Sequence, residues 1–433
     1  MVRTDQFLDA TSGRFNVCVH RGTQQIGGTC IELVCNGQRL LLDLGLPLDV
    51  GDDDPVTFLP DVKGLKDAAP DLLGLVVSHA HADHWGLAAQ VAHLPIITGA
   101  ATRRMLNAAS AFVPRPVPAG INMPGIPDLE DRKTIQIGPF SITPYLVDHS
   151  AYDAYALLVE ANGRRLFYSG DLRAHGRKSR LFERFIAAAP KHVHAMLMEG
   201  SSLGRLKPDQ SFETEQQIEA RLATCFQQPG FIGVCASAQN IDRIVSIYRA
   251  CKRTGRALVL DLYALEVLAA TGNKNIPQDG WPNINVYVPE YQRRHIAKNK
   301  HFDIVDRHKT NRIYREKLQS KLKQSVMLCR PAMVRDIDLM PGAWEGARII
   351  WSQWDGYLKT DDYQPFLGKI AERGVPIEVI HTSGHASIGD LKRLADAVAP
   401  DILVPIHTFS GEQYSKLFDQ KIVRYTDNEW WEV

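Results

Sequence analysis

Residues 72–86 read LLGLVVSHAHADHWG, an apolar strand that runs straight into three histidines and an aspartate within six positions. Alternate residues of an extended chain face the same way, so His79 and His81 can grip one ion. Asp83 and His84, where the chain curls into a helix, can serve a neighbouring ion. Imidazole with carboxylate suits zinc best among common ions, with manganese or iron as alternatives. A solvated, histidine-rich loop is the bland alternative, and the apolar run ahead of four clustered donors weighs against it. Three further donors follow apolar runs: His149 after ITPYLVD, Asp171 after RLFYSG and His407 after DILVPI. A lone histidine after a strand is more often structural than ligating, so these three draw their weight from the 79–84 cluster.

Outward from this stretch, the first half consists of short β-branched runs and tight turns. Asn36-Gly37 separates CIELVC from RLLLD, and Asn162-Gly163 separates AYALLVEA from RRLFYSGD; both are two-residue hairpin signals that call for positive φ. Asp43 and Asp171 stand at the ends of these hairpins, where an open sheet presents side chains to a site. From about residue 200 the texture becomes helical. Thr214-Glu-Gln-Gln217 is a capping box, with its helix expected towards Gln228, and FIGVCASAQNIDRIVSIYRACKR and RALVLDLYALEVLAATG read as strand–helix units of a parallel sheet. At 376–407 the pattern returns to strand, glycine turn, helix and strand. With no low-complexity linker, one compact domain inserted into another is expected: residues 1–200 and 376–433 around 201–375.

The chain has 433 residues, 45% hydrophobic and 23% charged, enough to bury a sizeable core and too ordinary for a disordered or fibrous protein. Its formal net charge of +1 excludes a wholly basic binding protein. That total conceals a division. Between Arg293 and Lys323 stand eleven Lys or Arg against three acids, a net of +8, so the remainder sums to −7. A solvated helix face explains such a run, and so does a phosphate-tracking groove on a basic substrate domain beside a ligand-rich acidic one. Seven cysteines without a CxxC pair point to a reducing compartment. The polar opening MVRTDQFLDA and the lack of a long apolar run point to a cytoplasmic protein without a membrane anchor.

On the residues quoted, the chain resembles the metallo-β-lactamase superfamily, an αββα sandwich with a dinuclear site at its sheet edges. The resemblance implies His79, His81 and His149 on one metal, Asp83, His84 and His407 on the other, and Asp171 bridging. It implies that Asp43 orients ligands by hydrogen bonding rather than binding metal. The cofactors implied are two Zn²⁺, with Mn²⁺ as the alternative, and the reaction is hydrolysis.

Glu199, after the apolar run in MLMEGSSLG, and His385 in HTSGHAS are similar to the added motifs of the β-CASP branch, with His407 as the third. These segments are most similar to the ribonuclease J group, which implies an inserted α/β β-CASP domain. The catalytic residues implied are Asp83, Glu199 and His385, with His385, held protonated by Glu199, donating a proton to the leaving oxygen. Glu199 as a surface carboxylate and His385 as a packed turn residue are the bland readings. The turn Thr382-Ser383-Gly384-His385 is expected to hold a 5′-phosphate at a helix N-terminus. Ser237 resembles a second phosphate-contacting segment, although Gln239 and Asp242 depart from that pattern. The function expected is a zinc-dependent ribonuclease acting on single-stranded RNA as a 5′-phosphate-guided 5′ exonuclease, an endonuclease or both. The chain ends soon after His407, where ribonuclease J proteins carry a further domain, which leaves cleavage mode and homo-oligomer formation open. Alternatives are a DNA nuclease of the same branch, a hydrolase of small esters, lactones or thioesters, and a scaffold with a dead site. Trp351, Trp354 and Tyr357 are weighed as base-stacking or core residues.

Overall fold

Strands buried on both faces need apolar side chains at every position rather than at alternate ones, and the near-continuous runs of the first half meet that need. The computed structural model describes residues 13–433 apart from 49, 52 and 114–116. Described residues 13–106, 117–211 and 384–433 form one compact unit; 107–113 and 212–383 form a second.

The first unit holds two six-stranded sheets. One runs in the order Trp430–Glu432, Phe15–Arg21, Cys30–Cys35, Gln38–Leu44, Leu72–Val76 and Ile96–Ile97, antiparallel up to Gln38–Leu44 and parallel beyond it. The other runs Ile402–Ile406, Ala195–Glu199, Arg164–Tyr168, Ala154–Ala161, Phe140–Val147 and Ile135–Ile137. Alternate side chains of both meet in one core: Val17, Leu33, Leu40 and Leu42 from the first sheet, Phe140, Leu157, Val159 and Leu197 from the second. The opposite faces are covered by helices. Leu41, Leu75 and Val77 pack with Trp85, Val91 and Leu106. Leu158, Phe167 and Met196 pack with Phe182 and Phe185 of helix Arg180–Ala187 and with Leu391 and Leu394 of helix Ile388–Val398. This is the expected αββα sandwich. Both hairpin turns have two left-handed residues, Asn36 (φ 50°) with Gly37 (φ 71°) and Asn162 (φ 47°) with Gly163 (φ 73°). That is the backbone twist two-residue hairpins favour.

The second unit is built on an all-parallel sheet in the order Ile284–Val286, Ala257–Leu260, Ser325–Leu328, Ile232–Cys235, Arg348–Trp351 and Ile377–Val379. The Thr214–Gln217 capping box forms in full, and helix Glu215–Phe226 follows it. One feature differs from the reading of the sequence. Ile377–Val379, assigned to the returning part of the first domain, is the edge strand of this parallel sheet, fastened to Arg348–Trp351 by Ile349 N–Pro376 O and Ile380 N–Trp351 O bonds of 2.9 and 3.0 Å. The division therefore falls at 383/384, and on the other side at 211/212. Trp351 is wholly buried in the core of this unit, its Nε1 donating to Trp354 O, so it offers no face for stacking; Trp354 and Tyr357 stay partly exposed.

Candidate metal centre

The sheets of the first unit end where its ionisable residues begin. His79 follows strand Leu72–Val76, and Asp83 and His84 fall on the helical turn Ala82–Trp85. His149 follows Phe140–Val147, Asp171 follows Arg164–Tyr168, Glu199 ends Ala195–Glu199 and His407 follows Ile402–Ile406. The termini converge on three sets of donor atoms, each set lying within 4.8 Å: His79, His81 and His149; Asp83, His84, Asp171 and His407; Asp171, Glu199 and His385.

Asp171 links them. Its Oδ2 lies 3.2 Å from His84 Nε2 without a hydrogen bond, and 3.7 to 3.8 Å from His407 Nε2, His79 Nε2 and His385 Nδ1. Both Asp171 oxygens, and Nε2 of His79, His84 and His407, are buried without a hydrogen-bond partner. Leaving one such group unsatisfied costs about 1–3 kcal/mol, so five facing one another call for a shared occupant. The donors suit divalent cations. Burial, with the neighbouring imidazoles, holds His79 and His149 well below the ordinary histidine range, and burial brings His81 to about 4. All three therefore keep the lone pair that a cation needs.

The remaining nitrogens and the carboxylate of Asp43 form the frame. Asp43 accepts from Ser78 N and Oγ at 2.7 Å, from Tyr168 Oη at 2.5 Å and from His84 Nδ1 at 2.7 Å, so its oxygens are occupied and it acts by orienting His84. His149 Nδ1 donates to Gly384 O at 2.6 Å, His79 Nδ1 lies 3.0 Å from Ser78 Oγ, and His407 Nδ1 lies 3.2 Å from Thr29 Oγ1. Each bond fixes the tautomer that turns Nε2 towards Asp171 or its neighbours. Asp148, next to His149, is held by buried Arg173 and by Gly176 N.

Glu199 is a buried group, not a surface carboxylate: it accepts from Leu172 N, Ser201 Oγ and His385 Nδ1, the last at 3.0 Å. Burial works to lower His385, but the Glu199 and Asp171 carboxylates outweigh it and raise the group to about 9. Thr382 and Ser383 belong to the second unit, where Thr382 Oγ1 donates to Glu213 O at 2.5 Å; Gly384 and His385 belong to the first. The helix after them begins only at Ile388 and is capped by Ser387 Oγ, which accepts from Asp390 N. Ser237, in the second unit, accepts from Gln239 N.

Residues 48–224 match the family model for a beta-lactamase superfamily domain. Over these residues the chain is similar to a beta-lactamase superfamily domain. It is 23% identical to a ribonuclease J of Sinorhizobium meliloti over 364 residues, 81% of this chain and 60% of that one. It is 23% identical to a ribonuclease J of Synechocystis over 420 residues, 89% of this chain and 59% of that one. The chain thus spans about 60% of the length of these relatives. A crystal structure of a protein of unknown function from Enterococcus faecalis V583 shares the fold, with a TM-score of 0.76 over 97% of this chain and all of that one, at 22% identity. No described helix is long and apolar enough to cross a membrane, and all seven cysteines are free and buried.

Three residues that hold the site escaped the reading of the sequence: Thr29, Ser78 and Tyr168. Ser78 stands beside His79 and could have been inferred from position alone. Thr29 and Tyr168 carry no local signal, since each meets its partner only across the fold.

Proposed function

We propose that this chain is a metal-dependent ribonuclease that hydrolyses phosphodiester bonds of single-stranded RNA with two divalent cations, zinc or manganese. The observation that carries the reading is Asp171, a buried carboxylate with neither oxygen hydrogen-bonded, flanked by two groups of imidazoles. His79, His81 and His149 would hold one cation and Asp83, His84 and His407 the other, with Asp171 between them. Bound there, two cations neutralise charge on phosphoryl oxygens and acidify water towards neutrality. Asp43, Ser78 and Thr29 keep the imidazoles in register. Glu199 holds Nδ1 of His385, leaving its Nε2 to protonate the leaving oxygen. The similarity to two ribonucleases J favours RNA over other phosphodiesters.

Ser237, Thr382, Ser383, Gly384 and His385 are each candidates for contacting a 5′-monophosphate, and such contacts would favour 5′ exonuclease action, alone or beside endonuclease action. Seven reduced thiols suit a cytoplasmic site of action. The test is to incubate the pure chain, with zinc or manganese, with labelled single-stranded RNA, single-stranded DNA and a chromogenic ester, and to repeat it with Asp83→Ala and His84→Ala. RNA cleavage abolished by both substitutions is expected, and ester turnover without RNA cleavage would overturn the reading. Cleavage of 5′-monophosphorylated ends should exceed that of 5′-hydroxyl ends, and equal rates would count against the phosphate assignment. His385→Ala should lower turnover by about 10²–10⁴-fold while metal content is kept.

A further inference from the structure

The second unit carries a cleft of about 540 Å³ between three helices. Glu290, Arg293 and Arg294 come from helix Glu290–Asn299, Arg315 begins helix Arg315–Lys321, and Arg335 and Leu339 come from Val334–Asp338 and the residue after it. Three of these arginines belong to the basic run at 293–323, and Arg335 joins them from outside it.

Local carboxylates neutralise these guanidinium groups only in part. Glu290 is the one carboxylate on the lining; it pairs with Arg294 and lies 3.4 Å from Arg335. Asp336 is 3.7 Å from Arg293, but its oxygens already accept from Tyr287 Oη and Glu290 N. Glu316 is 3.9 Å from Arg315 and largely in solvent. Even with all three acids counted, positive charge is in excess, and the four arginine side chains are 44–71% exposed, with donors free to turn outward. Like charges gathered in a concave surface favour an anion with several charges at fixed spacing.

The neighbouring residue narrows the class of ligand. Tyr314, next to Arg315, is 62% exposed, and the Arg312 guanidinium lies 4.9 Å from its ring centroid. An exposed aromatic ring beside a set of guanidinium groups fits a strand in which bases alternate with phosphates, whereas a free oligophosphate has no use for it. We propose that this cleft binds the sugar–phosphate backbone of a single-stranded nucleic acid, its arginines on consecutive phosphates and Tyr314 stacked on a base. The proposal rests on the ribonuclease reading for the identity of the strand as RNA.

The experiment measures binding of a short single-stranded RNA with phosphorothioate linkages by the full, metal-loaded chain across a salt series. R294Q/R315Q/R335Q should bind about tenfold more weakly at physiological salt. Its slope of log affinity against log salt should be shallower by about 2, since each phosphate neutralised on a single strand adds ~0.7 to that slope. Tyr314→Ala should weaken binding with the slope unchanged, and Glu290→Gln should tighten it. Hydrolysis of a small chromogenic phosphodiester should be the same in the wild type and in all variants, which separates failure of the cleft from failure of the ribonuclease reading. Wild-type affinity and slope in the triple variant would overturn the proposal. So would a triple variant that loses binding of inorganic triphosphate while its RNA affinity is intact, since the cleft would then be a free-oligophosphate site.

Discussion

Asp43 and His407 both sit at positive φ, 56° and 50°, where residues other than glycine pay a steric penalty of about 1–2 kcal/mol. Both lie at strand ends, and in both the bend aims a side chain that the site needs: Asp43 reaches Ser78, Tyr168 and His84, and His407 turns Nε2 to within 3.7 Å of Asp171. His407 is held by its backbone N–H, which donates to Gly22 O at 2.6 Å, and by the hydrogen bond between its ring Nδ1 and Thr29 Oγ1. Thr29 is nearly isosteric with valine, so Thr29→Val removes the hydroxyl and little else. It should weaken metal retention by about 10–100-fold, read as zinc release to a chelator, and Thr29→Ser should restore it. Equal release from Thr29→Val and wild type would assign Thr29 to packing alone. Asp43→Ala removes an acceptor from three partners at once and should cost more than Thr29→Val in both metal retention and stability.

Between neighbouring elements, backbone proximity matters as much as side-chain chemistry. Gly45, just past strand Gln38–Leu44, lets the helical turn of Asp83 and His84 lie against the sheet: a Cβ there would come within 1.7 Å of Asp83 O. Gly37, in the hairpin, faces open space and is required only by its φ of 71°. Gly37→Ala should therefore cost about 1 kcal/mol and leave metal binding intact. Gly45→Ala should cost about 2–3 kcal/mol and disturb the site, visible as a lower denaturation midpoint together with reduced metal content. The contrast explains what was legible in the sequence. The 79–84 motif, the two hairpins, the capping box and the donors at strand ends are local patterns, written in adjacent residues. The placement of Ile377–Val379 was not legible, because a short apolar run reads the same in either sheet and only its pairing with Ile349–Trp351 decides. The same holds for Thr29 and Tyr168, which act through partners distant in sequence, and for Trp351, whose burial depends on the core around it.

For the molecule as a whole, a net charge of +1 hides a strongly basic segment whose arginines are partly gathered into one cleft and partly spent in pairs such as Arg307 with Glu266 and Asp303. It also hides a buried centre in which both Asp171 oxygens and Nε2 of His79, His84 and His407 have no hydrogen-bond partner. Ligands that bind only the folded state stabilise it by mass action, about 4 kcal/mol at a thousandfold excess over Kd. Stripping the cations with a chelator should thus lower the thermal midpoint by roughly 5–10 °C, reversed on adding zinc or manganese. No change would mean that the cluster folds without them. The central claim is that Asp171 joins two cation sites, and metal content tests it most directly. After loading with zinc and removal of excess, the wild-type chain should hold about two equivalents by mass spectrometry. Asp171→Ala, with its circular dichroism unchanged, should hold well under one. A wild-type chain that retains no more than one equivalent, or an Asp171→Ala variant that retains two, would contradict the account.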